Sequence, residues 1–108
     1  MHKPFKNYVP QHASELYDML AMMMGTSPTF KDEYFVDQTL DTVFTAFLMG
    51  LAASKEDLGA GLHRSLTDLA IRARALFESD PEDKTGESKE GQQLLWQMDE
   101  ILEKHLKD

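Results

Sequence analysis

The stretch Lys31–Ala53, KDEYFVDQTLDTVFTAFLMGLAA, spaces Val36, Leu40, Val43, Phe44, Phe47, Leu48 and Leu51 three and four residues apart and leaves Asp37, Asp41, Thr42 and Thr45 elsewhere. That period lines the apolar side chains along one stripe of an α-helix, and no run of strict alternation competes with it. Asp32 and Glu33 fall in the first turn of a helix beginning at Lys31, where the positive end of the helix dipole favours carboxylates by a few tenths to about 1 kcal/mol. The stretch reads as the core helix.

Outward from it the same period recurs. Upstream, Ala13, Leu16, Tyr17, Leu20, Met23 and Met24 predict a helix over about 10–24, with Pro10 suited to its first turn and Gly25 to its exit. Downstream, Ser54-Lys55-Glu56-Asp57 has the form of a capping box with Asp in the usual Glu place, so the Ser54 hydroxyl is expected to accept the Asp57 amide hydrogen and open a helix over 55–78. Gly59 and Gly61 are its weak point, each costing up to about 1 kcal/mol inside a helix. Residues 79–88 lack a large apolar side chain and carry Pro81, Gly86 and many charges, which predicts a mobile acidic loop. Leu94, Leu95, Met98, Ile101, Leu102 and Leu106 then predict a last helix over 89–106. The expectation is an all-α protein, a compact bundle of about four helices in a single domain spanning 1–108.

Composition narrows the function classes. At 108 residues the chain suits one core. The absence of cysteine excludes disulfides, thiolate metal sites and thiol catalysis, and suggests a cytoplasmic setting. No apolar run is long enough to span a bilayer, so no membrane association is expected. A net charge of −8 argues against direct nucleic-acid binding. The acidity is concentrated in residues 79–108, where nine carboxylate side chains face four lysines.

No catalytic constellation and no cofactor motif stands out. Gly59-Ala60-Gly61 lacks the strand, the third glycine and the Lys-Ser/Thr ending of a phosphate loop. His12 and Glu15 share a helix face, but nothing repeats that spacing as a helical metal site requires, so no metal is expected. His63 is followed by Leu66 and Thr67 where histidine phosphotransfer modules place Lys and Gly. An enzyme is therefore not expected.

The remaining candidates are contact residues. Met19, Leu20, Met22, Met23 and Met24 make the end of the first helix apolar nearly all round, which suggests either a well-filled core end or a methionine-rich contact involving Met19, Met22 and Met23, with Tyr34 nearby. Arg64, Arg72 and Arg74 form the main arginine cluster. Arg64 and Arg74 offer a dock for an acidic partner, unless Asp68 pairs with Arg64 and Arg72 on a solvated face. Trp96 sits near the edge of the last apolar stripe and offers an anchor for a partner, with docking onto its own bundle as the alternative. These readings point to a small acidic helical protein acting through protein–protein contact, with a protein partner or as a homodimer: a regulator, inhibitor, immunity-type protein or adaptor. An acidic nucleic-acid mimic and a helical small-molecule sensor are the alternatives.

Overall fold

Two threonines start the core helix. The Thr39 hydroxyl accepts the Thr42 amide at 3.2 Å and the Thr42 hydroxyl accepts the Thr39 amide at 2.8 Å, a reciprocal cap that opens α2, Leu40–Ala53. The computed structural model describes residues 9–27, 29–31 and 38–107; Tyr34 and Val36 lie outside them. Lys31, Gln38 and Thr39 are not helical, so the start expected at Lys31 is corrected to Leu40. The cap signal was present in the sequence, but the apolar stripe running past it drew the helix too long.

The other elements are α1, Ala13–Thr26; α3, Lys55–Leu58; α4, Ala60–Ser79; and α5, Glu87–Lys107. All are helices, and the described residues contain no strand. The single helix expected over 55–78 is broken at Gly59, whose φ of +86° lies in the region that L side chains rarely adopt. Gly61 stays inside the first turn of α4.

The capping box at Ser54 does not form. Its amide continues the α2 pattern onto the Gly50 carbonyl, and its hydroxyl is buried with no hydrogen-bond partner among the described residues. Asp57 instead accepts the Ala13 amide at 2.7 Å, satisfying an orphan donor at the start of α1 from 44 residues away. A carboxylate suited to cap its own helix thus caps another.

Helix α5 packs against α4 and α1, and α2 packs against the same two, so the four long helices enclose one core. At its centre the fully buried rings of Phe30, Phe44 and Phe77 meet: Phe30 lies edge-on to Phe77 at 4.9 Å and to Phe44 at 5.3 Å. Such pairs add about 0.5–1.5 kcal/mol each beyond burial. Phe30 reaches this position with a left-handed φ of 59°, a conformation that costs a bulky residue about 1–2 kcal/mol. Its carbonyl accepts the buried Gln38 side-chain amide at 2.7 Å, which holds the turn.

The methionine-rich end of α1 is a core end. Met19 is only 5% exposed, Leu20 and Met23 are fully buried, and Met22 and Met24 are half-buried against the core. Packed by α2 on one flank and α5 on the other, α1 buries a far wider arc than a helix on a single neighbour. Met19 and Met23 are therefore corrected from contact residues to core residues.

The connector between α4 and α5 is anchored by Asp80, which is 2% exposed. Its carboxylate accepts the amides of Lys84 at 2.7 Å, Thr85 at 3.1 Å and Ser88 at 3.1 Å, while the Ser88 hydroxyl donates to the Asp80 carbonyl at 2.7 Å. The tether expected to be mobile thus has a built frame, with Pro81–Gly86 exposed around it. Burial pushes the Asp80 carboxyl up, but the donors from Ser88, Lys84 and Thr85 outweigh it and bring the pKa down to about 2.

Two sets of measurements check this packing. At Gly91 of α5 an added Cβ would lie 2.9 Å from the Phe77 ring, which Phe30 and Phe44 hold in place, whereas at Gly61 nothing lies within 4 Å. Thermal melts should show Gly91→Ala losing about 1–3 kcal/mol by overpacking and Gly61→Ala gaining up to about 1 kcal/mol. Because the folded pKa of Asp80 is depressed, its contribution is full above the ordinary value of 3.8 and is lost as pH falls through about 2. Acid titration of Asp80→Ala against the native chain should show the mutant less stable at neutral pH and the gap closing across that window.

Candidate functional site

The largest exposed ring lies on α5. Trp96 is 58% exposed, yet one side of it rests at a small notch of about 200 Å³ shared with Met24, Ser27 and Gln92. The notch is braced: the Gln92 side-chain amide donates to the Ser27 hydroxyl at 3.0 Å, and that hydroxyl donates to the Met24 carbonyl at 3.1 Å. Trp96 thus borders α1 across the notch and is largely open to solvent.

Helical spacing extends this strip along both helices. Trp96, Asp99 and Glu103 follow one side of α5, while Met24 and Tyr17, seven residues apart, follow the facing side of α1. The Asp99 and Glu103 carboxylates repel the phenolate of half-buried Tyr17 and hold its pKa above the usual 10.0, Asp99 contributing most and Glu103 next. Asp99 itself is raised, first by burial and then by Glu103 and Glu100. The strip therefore presents an aromatic and thioether surface bordered by closely spaced carboxylates.

The other sequence candidates separate from it. Arg74 is not free: its guanidinium bonds Asp41 of α2 and pairs with Glu78 at 2.9 Å, so its role is corrected to clamping α4 onto α2. Arg64 is exposed on α4, and Asp68, expected to pair with both Arg64 and Arg72, is within 4.0 Å of Arg72 only. Met22 is half-buried, its sulfur near the Thr26 hydroxyl at 3.7 Å and the Gln38 amide at 3.9 Å. Of the predicted contact residues, Trp96 and Arg64 face solvent, on different helices. Tyr17 and Asp99 were missed because only the docking of α5 on α1 brings them, with Met24 of the methionine cluster, beside Trp96; the i, i+3, i+7 spacing of Trp96, Asp99 and Glu103 was the visible half of the signal.

Among the described residues no group of three or more His, Asp or Glu side chains converges as metal ligands, and no helix is long and apolar enough to cross a membrane. His12 is exposed at the start of α1, and Glu15 accepts the Gln11 amide at 3.0 Å.

The electrostatics of the strip are directly measurable. Ring-resolved NMR titration should place the Tyr17 phenol above the ordinary 10.0, and Asp99→Asn should bring it down by removing the largest repulsion. A Tyr17 pKa unchanged in Asp99→Asn would contradict the arrangement. The chain matches no protein-family model, no curated protein and no solved structure, so the residues themselves carry the functional reading.

Proposed function

We propose that the protein acts through protein–protein contact, using the α1/α5 strip to bind a basic partner that receives Trp96 in an apolar slot. The observation that supports this most is Trp96 itself. Tryptophan is prominent among the few residues that dominate binding energy, and here it stands largely exposed beside a notch shared with α1, where a partner's side chain has room to pack against it. Asp99, Glu100 and Glu103 beside it, on a chain of net charge −8, favour encounter with a positive surface and oppose an acidic one. The role is binding rather than catalysis, and the cysteine-free composition agrees with a cytoplasmic setting.

A second reading draws on the charge of residues 79–108. There the carboxylates of the connector and α5 would imitate a phosphate backbone and fill the groove of a nuclease or DNA-binding protein. The two readings differ in what dominates: a contact anchored by Trp96 keeps most of its affinity as salt rises, whereas mimicry rests on many charge pairs and weakens steeply.

Affinity capture from source cells followed by titration tests this, with Trp96, the only tryptophan, as its own fluorescent probe. The captured partner should be basic and should shift Trp96 emission to the blue. Trp96→Ala should weaken it by about thirtyfold or more, the scale of a binding hot spot. A partner bound equally well by Trp96→Ala, with affinity collapsing in salt, would favour mimicry instead.

A further inference from the structure

A second surface, of opposite sign, lies at the corner of α3 and α4. A shallow groove of about 380 Å³ there is lined by Lys55, His63, Arg64, Thr67 and Ile71. The bend at Gly59 brings Lys55 of α3 to the same groove as Arg64 of α4. Asp68 borders the groove too, but its nearest cation is Arg72, at 4.0 Å. Asp57, two residues after Lys55, points its carboxylate to the Ala13 amide of α1, and the adjacent Glu56 is exposed and forms no ion pair with Lys55. Among the described residues, then, neither Lys55 nor Arg64 has a carboxylate within ion-pair distance. The groove therefore holds two cations outside any ion pair and one carboxylate, a positive balance that is notable on a chain whose acidic side chains outnumber Lys and Arg by 19 to 11.

The groove also has an apolar and a neutral polar component. Ile71 is 54% exposed, seven residues beyond Arg64 on the same side of α4, about 10 Å along the helix. The Thr67 hydroxyl is shielded from solvent and has no hydrogen-bond partner among the described residues. Because it is shielded, it is not itself a contact for an occupant, and Ile71 is the groove's exposed apolar feature. Helix α5 packs against both α1 and α4, so it separates the strip bearing Trp96 from this corner.

We propose that the α3/α4 groove docks an acidic segment of a second protein, with carboxylates on Lys55 and Arg64 and an apolar side chain about two helical turns away on Ile71. Charge complementarity selects the segment's sign, and Ile71 sets its register. The openness of the groove suits a partner's helix or strand, which brings its own backbone to cover it. The protein would then be an adaptor joining a basic partner at Trp96 to an acidic one at Arg64. The groove rests on its own geometry and does not depend on the reading of Trp96.

The test uses the full chain, labelled with nitrogen-15, titrated with a synthetic helical Glu/Leu peptide and with its Gln-for-Glu counterpart. The acidic peptide should shift the amides of Lys55, His63, Arg64, Thr67 and Ile71, lose affinity as salt rises, and leave Trp96 emission unchanged. Lys55→Glu/Arg64→Glu should weaken it about tenfold or more with the melting curve retained. Ile71→Ser should weaken it without altering the salt dependence. Equal shifts from the Gln peptide, shifts centred on α1 and α5, or the same shifts on concentrating the protein alone, which would make a second copy the occupant, each overturn the proposal. A failure of Trp96→Ala to release the basic partner would refute the other reading and leave these results standing.

Discussion

The ring of Phe77 is the constraint on which the rest of the structure depends. It is touched from three directions: by Phe30 at the end of the segment leaving α1, by Phe44 of α2, and by the bare backbone of Gly91 in α5. A close-packed interior tolerates no slack at such a point, because neighbouring atoms already sit at contact distance and any added group must displace one of them. Gly91 allows α5 to approach until its backbone lies over the ring. That approach sets the depth of α5 between α4 and α1, and with it the position of Trp96.

Three residues beyond Phe77 the chain turns on Asp80. Its buried carboxylate would be costly alone, but three backbone amides compensate it and in doing so fix the entry of the last helix. Phe77 and Asp80 thus act together, one positioning α5 by contact and the other by hydrogen bonding. Asp57 plays a comparable part at the opposite end of the chain, holding the start of α1 from α3. Carboxylates in this protein serve as structural caps as well as surface charges.

Where the caps are not engaged, charge is sorted by face. The seam of α1 and α5 gathers Asp99 and Glu103 around Tyr17 and beside Trp96, where they raise the phenol, while burial first and then Glu103 raise the Asp99 carboxyl. The corner of α3 and α4 leaves Lys55 and Arg64 without acidic partners, because Asp57 and Asp68 are turned to other groups. Two surfaces of opposite sign on so small a bundle are compatible with separate partners and with little tendency for either to accept the other's ligand.

Helical class, the approximate number of long helices and the burial of the main stripes were legible in the sequence, because a period of three and four residues has one economical solution in water: an apolar stripe turned inward. The breaking point at Gly59 and the exposed edge at Trp96 were also visible as local features. What the tertiary structure decided was everything that depends on a neighbour. Met19 and Met23 are interior because α1 is flanked on two sides, a fact no single-helix pattern carries. Ser54 does not cap because its backbone continues α2 onto the Gly50 carbonyl, while the Asp57 carboxylate accepts from Ala13 far along the chain, and Arg74 is lost to binding because Asp41 of another helix reaches it. Local spacing determines which side chains share a face; which faces meet, and so which charges remain free for a partner, is set by packing across the whole chain.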